Sequence, residues 1–332
     1  MPSRVVVPLD GSPAAEAALP VALGLARALG AAVELVHVHD VPISATSARA
    51  GLLGVAEAAA AQRAEREATL GALAERLRQA AGGAAEAPSV HAVVLQGSDA
   101  TDALLAHLAH LARAPVAPDA AAGPGAGGAR TVVVLTTPAR GLLARSVLGS
   151  VADRLAREAD VPVVLVPPAA DGAAAPGAGA DPAPWMLRRA LVPIDGSAVA
   201  REILERLTAL PELHGVEVLL LQVLVPTGVG GLVPPTAMLD AEALDEEVDA
   251  ARTTLDAAAG RLAERGFPAR AEVVVAADVA GAIVERARTA GADLIAMASR
   301  GHGGLRRLAL GSTADAVVRR AHRPVLLVHP RR

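Results

Sequence analysis

Two aspartates and two glycine-centred loops are where this chain can do chemistry. Asp10 closes the run Val5-Val6-Val7-Pro8-Leu9 and is followed by Gly11-Ser12; Asp195 closes Ala190-Leu191-Val192-Pro193-Ile194 and is followed by Gly196-Ser197. Further on, Ala298-Ser299-Arg300-Gly301-His302-Gly303-Gly304 leads after six residues to Gly311-Ser312-Thr313, and the earlier counterpart of that ending is Gly149-Ser150. Glycines let backbone N–H groups approach an anion closely. A helix that begins at Ser312 and Thr313 offers free N–H groups and a favourable dipole to negative charge, and its hydroxyls can bond phosphate oxygens. An aspartate opposite such a loop can accept bonds from ribose hydroxyls or help to hold a magnesium ion.

The elements that must position these residues are written twice. The Pro-x-Asp-Gly-Ser segment recurs, Leu148-Gly149-Ser150-Val151-Ala152-Asp153 returns as Leu310-Gly311-Ser312-Thr313-Ala314-Asp315, and Val161-Pro162-Val163-Val164-Leu165-Val166 returns as Arg323-Pro324-Val325-Leu326-Leu327-Val328. Ordered landmarks at a long period mean two copies of one domain. In the first copy, continuous Val-rich runs predict buried strands at 4–9, 33–38, 90–95, 131–136 and 161–166. Ser12-Pro13 reads as an N-cap with proline in the first turn, Pro20 predicts a kink or a delayed start, and Gly30 ends the helix. Helices are expected at 55–81, 99–111 and 150–158. The second copy repeats the order, with strands near 189–194, 216–223, 271–276, 293–298 and 324–328 and a long helix at 239–264. Domains are expected at 1–168 and 186–332, joined by an Ala/Pro/Gly linker at 169–185, with a low-complexity insertion at 113–129 in the first copy. Strand–helix alternation implies parallel sheets with helices on both faces, and right-handed crossovers restrict the topology. Ligands of such sheets sit beyond the carboxyl ends of the strands, where strand order reverses. If strands one and four adjoin there, the aspartate and glycine loops line one cleft.

Composition narrows the functions open to this scaffold. The chain has 332 residues, 52% of them hydrophobic, with alanine prominent and Trp185 and Phe267 as the only large rings. Its cores must therefore be built from Val, Leu, Ile and Ala. There is no cysteine, so thiolate metal sites, disulfides and thiol nucleophiles are excluded. There is no lysine either, which excludes a Schiff-base lysine and a P-loop lysine. A net charge of −4 without a basic stripe speaks against nucleic acid. No apolar stretch suits a bilayer span and no signal-peptide pattern opens the chain, so a cytoplasmic location is expected.

Taken together, these motifs resemble those of tandem universal stress proteins. Nucleotide-binding members carry Gly, two residues, Gly, nine residues, then Gly-Ser or Gly-Thr; here that pattern falls on Ala298, Gly301, residues 302–310 and Gly311-Ser312. The resemblance implies two Rossmann-like domains of the adenine nucleotide alpha hydrolase-like type, each a five-stranded parallel sheet in the order 3-2-1-4-5. It implies ATP or AMP between strands one and four, with or without magnesium near Asp195. The adenine would contact the backbone after strand two, at Val223 and in the first copy Val38. Pro193, Ile194, Asp195, Ala298, Gly301, His302, Gly311, Ser312 and Thr313 form the expected second-copy site. Pro8, Asp10, Val38, Gly149 and Ser150 form a weaker first-copy site, because Thr136 and Ala139 stand where the loop glycines belong. The resemblance also implies pairing of the two copies within one chain, a further homodimer, and an unidentified regulatory partner. The expected role is a stress-response sensor and not an enzyme. The alternatives are a nucleotide-independent scaffold of the same fold and a slow ATP hydrolase.

Plainer readings stand beside these. Asp10 and Asp195 can cap the turns that follow them, and Ser150 and Ser312 can be ordinary N-caps. His302, whose first-copy counterpart is Arg140, reads as a solvated loop residue. His37 and His39 lack further ligands at metal-binding spacing. Arg306 and Arg307 are as well explained by a solvated edge as by phosphate contact, and Asp240 to Asp249 reads as a solvated helix face.

Overall fold

Val5, Val6 and Val7 are wholly buried, and so are Val33 and Leu35, because each lies in a strand covered on both sides. The computed structural model describes residues 3–40, 52–80, 87–113, 131–137, 148–168, 185–196, 202–206, 210–226, 241–299 and 310–329. The contacts divide the chain into two units, Met1–Met186 and Leu187–Arg332.

The first unit contains β1 (Arg4–Pro8), α1 (Pro13–Glu16), α2 (Leu19–Ala28), β2 (Ala32–Asp40), α3 (Leu52–Ala80), β3 (Val90–Gly97), α4 (Ala100–Arg113), β4 (Thr131–Thr136), α5 (Ser150–Glu158) and β5 (Val163–Val166). Its strands run β3-β2-β1-β4-β5, with parallel pairing at each step. The helix after β1 behaves as its sequence demands. Ser12 caps α1 by accepting the Ala15 N–H, and Pro13 opens the first turn. The helix breaks after Glu16 and restarts at Leu19, with Pro20 in the first turn, where a missing N–H costs nothing. Gly30, at φ +56°, ends it. Helices α2 and α3 pack on one face of the sheet, whereas α4 packs on the other and meets α5.

The second unit contains β6 (Arg189–Pro193), β7 (Glu217–Leu224), α6 (Ala241–Ala263), β8 (Ala269–Val275), α7 (Val279–Thr289), β9 (Leu294–Ala298), α8 (Ser312–Arg320) and β10 (Val325–Val328), with a helical stretch at 202–206. Its order is β8-β7-β6-β9-β10, again parallel throughout. Each unit thus has the order 3-2-1-4-5. The core is aliphatic, as the shortage of aromatics requires. Phe267, 1% exposed, is the exception, and His214 meets its ring edge-on. The acidic residues Asp245, Glu246, Glu247 and Asp249 lie exposed on α6. The 113–129 insertion beyond Arg113, residues 169–184 of the linker and Asp240 lie outside the described residues.

Candidate functional site

The site begins where two strands part. In the second unit β6 pairs with β7 as far as Pro193↔Leu221, and the Ile194 N–H then donates to the Leu221 carbonyl at 2.8 Å. On its other side β6 pairs with β9 only at Ala190↔Leu294 and Leu191↔Ile295. β9 meanwhile follows β10 to Ala298↔Val328, and the Ser299 N–H continues that ladder to the Val328 carbonyl at 3.0 Å. Pro193, Ile194 and Asp195 therefore lie on one bank of a split, and Ala298 and Ser299 on the other. This is the strand-order reversal of an open α/β sheet. The first unit opens at the matching residue. β1 pairs with β4 through Val6↔Val133, while its pairing with β2 runs on to Pro8↔Val36.

Above the split, Ser299 holds the start of α8. Its carbonyl accepts the Gly311 N–H at 2.8 Å, and its hydroxyl meets His329 Nδ1 at 2.8 Å. Gly311, at φ −60° and ψ 145°, is the N-cap, and its carbonyl accepts the first intrahelical bond, from the Asp315 N–H. No side chain caps this end. The N–H groups of Ser312, Thr313 and Ala314 consequently have no acceptor within the helix, and the positive end of the helix dipole faces the same way. Such an end accepts an anion. Gly149 repeats the geometry at the start of α5, with φ −62° and ψ 155°. This corrects the capping reading of the serines. Ser150 and Ser312 are first helical residues, because the extended backbone of the preceding glycine already supplies the cap carbonyl.

Asp10 and Asp195 are both exposed. Asp10 Oδ1 accepts the Ser12 N–H at 2.8 Å, closing a two-residue turn. Partial burial pushes its carboxyl up, but the hydrogen bonds from Ser12 outweigh that and hold it below the usual carboxylate range. The turn-capping role is therefore real in the first unit and engages one carboxylate oxygen. Gly11 and Gly196, at φ +86° and +77°, let the chain leave the strand in the left-handed conformation. Val38 pairs with Leu95 and Val223 with Val274. Each lies two residues past the partner of the strand-one proline, so both occupy the same place at the lip of the split. Ala298 sits in extended strand without positive φ, so its methyl fits the backbone where a glycine was expected. Thr136 is likewise an ordinary strand residue, paired with Val166. Gly301, His302, Ala139, Arg140, Arg306 and Arg307 lie outside the described residues. Among the described residues no three His, Asp or Glu side chains gather as a metal site.

Reading residue types alone did not single out Ser299. Its signal was positional: a small polar residue directly after strand nine, where the backbone must turn towards Gly311.

The universal stress protein family profile matches residues 1–109, 128–167 and 186–329. The chain belongs to the universal stress protein family. Among curated relatives, universal stress protein MJ0577 of Methanocaldococcus jannaschii is 27% identical over 155 residues, covering 43% of this chain and 95% of that protein. One copy of the repeat therefore corresponds to nearly all of that relative. Among solved structures, a universal stress protein from Archaeoglobus fulgidus covers 98% of this chain and 96% of its own, at 17% identity and TM-score 0.57. Protein PA1789 from Pseudomonas aeruginosa, of unknown function, covers 98% and 92%, at 17% identity and TM-score 0.58. At that identity the likeness is one of fold. Among the described residues no helix of this universal stress protein is long and apolar enough to cross a membrane.

Proposed function

We propose that this chain is an adenine-nucleotide-binding regulatory module that works chiefly through its second unit. The observation that carries this reading is the parting of β6 from β9 beyond Leu191, next to a helix whose first N–H groups no side chain caps. In this reading phosphates lie against Gly311, Ser312 and Thr313, with Gly301 and His302 completing the loop. Asp195 takes ribose hydroxyls or a nucleotide-bound magnesium ion, and the backbone at Val223 takes the adenine. The first unit has the same split, but Thr136 and Ala139 stand where the loop glycines belong, which supports a weak site there. Hydrolysis is not part of the proposal: the chain has no lysine, and no metal-holding carboxylate cluster is found among the described residues.

The test is to denature the purified full chain and identify the released nucleotide by mass spectrometry. ATP or AMP is expected, lost in Gly311→Val and kept in Gly149→Val. Because Gly311 has negative φ, the substitution crowds the ligand without forcing the backbone. If no nucleotide is released, and none is taken up from millimolar ATP with magnesium, the reading fails in favour of a nucleotide-independent scaffold. Steady phosphate release would favour the slow hydrolase.

A further inference from the structure

The first unit contains a second concavity, on the other side of its sheet from α5. Side chains alternate along β2, and contacts identify the two faces. Glu34 reaches His107 of α4, whereas His37, three residues on, faces the helices of the opposite side. There a cavity of about 510 Å³ lies between the β1–α1 turn and α3. Leu9, Leu70 and Leu73 supply apolar wall, and all three are buried. Gly11, Ser12, Glu16, His37, Arg66, Thr69 and Arg76 supply the polar part. The volume is that of a small-molecule site.

Its charge is uneven. Arg76 is paired with Glu16 at 3.1 Å, which leaves both neutralised. Arg66 has no carboxylate partner among the described residues, and its Nη1 lies 3.7 Å from where a Cβ on Gly11 would sit. The His37 Nδ1–H donates to the Leu9 carbonyl at 2.8 Å, so Nε2 is the ring nitrogen left for a ligand. The lining thus carries one uncompensated positive charge beside an apolar wall. The second copy lacks these groups. The shared registers place Gln222 where the first copy has His37. The buried positions Leu70, Ala74 and Leu77 match Leu255, Ala259 and Leu262, which places buried Ala251 opposite Arg66.

We propose that this cavity binds a small organic monoanion, a carboxylate on an apolar body. The carboxylate pairs with Arg66, and the apolar body lies against Leu9, Leu70 and Leu73, beside the His37 ring. A guanidinium suits a carboxylate because its N–H groups match the two oxygens. The proposal does not depend on nucleotide binding, which is proposed chiefly for the other unit.

The test uses 4-fluorobenzoate and fluorine NMR line broadening on the full chain, with 4-fluorobenzyl alcohol as the neutral control. Wild-type protein is expected to bind the acid saturably, and the alcohol more weakly. Arg66→Ala should weaken the acid about tenfold or more. Thr69→Trp should fill the cavity and abolish binding. Both positions are exposed on α3, and circular dichroism confirms that the variants fold. Saturating ATP should leave binding intact. Absence of saturable binding at millimolar acid overturns the proposal, and so does displacement by ATP or binding that ignores Arg66→Ala.

Discussion

Gly11 and Gly196 separate two reasons for a glycine. Among the described residues nothing lies within 4 Å of where a Cβ on Gly196 would go, and the contact at Gly11 is an ordinary one. Space is therefore not what requires glycine at either position; the left-handed φ is. An L side chain in that conformation costs about 1–2 kcal/mol. Urea unfolding of Gly196→Ala should show a loss of that size, and a neutral result would mean that the loop adopts another backbone. Glu34 poses a different question at the same scale. It is a carboxylate at 5% exposure in β2, held by His107 Nε2 at 2.5 Å and Arg4 Nη1 at 3.0 Å. Burial pushes the Glu34 carboxyl up, yet the His107 and Arg4 interactions overcome this and leave it below the ordinary glutamate value. A lowered folded-state value stabilises the fold above the ordinary range, and that stability is lost as pH falls through the folded value. Glu34→Gln should accordingly be less stable than wild type near neutrality, and the gap should narrow as pH drops below about 4.3. Stability curves that stay parallel to low pH would overturn this assignment.

At the scale of elements, α2 shows how a linker end is tied down. Gly24 is buried in mid-helix, where glycine is a poor former. A Cβ there would collide with the backbone carbonyl and ring of Trp185, so the missing side chain makes room for the single tryptophan of the chain. Gly24→Ala should destabilise the first unit by about 1–3 kcal/mol through overpacking. Trp185 fluorescence should shift towards that of a solvated ring in the same variant; unchanged emission would mean that the contact is dispensable. The helix breaks were readable beforehand because proline and glycine act locally: Ser12-Pro13, Pro20 and Gly30 fall where their backbone restrictions place them. The tie between Gly24 and Trp185 was not readable, since their separation in sequence gives no local signal.

At the scale of the whole molecule, duplication provides an internal control for ligand binding. A ligand that binds only the folded state stabilises it in proportion to the logarithm of its excess, by about 2.7 kcal/mol at a hundredfold excess over Kd. ATP should therefore raise the melting temperature of the full chain. Gly311→Val should remove that shift, and Gly149→Val should preserve most of it. Loss of the shift in Gly149→Val alone would reverse the assignment of the two copies.

What the sequence determined by itself was whatever is enforced locally or by repetition. Buried Val runs, caps, breaks and two ordered sets of landmarks were enough for the strands, the long helices and the doubled α/β plan. The 3-2-1-4-5 order came from the family resemblance, and the observed pairing bears it out. Only tertiary structure decided how distant segments share their hydrogen bonds. It set the residue at which β6 leaves β9, the bond from Gly311 to the Ser299 carbonyl, and the glycine N-cap that leaves Ser312 one position inside its helix. It also decided that Glu34 is buried against His107 and that Arg66 lies beside Gly11. Those outcomes depend on which groups meet across the fold, and neither residue type nor spacing specifies the meeting.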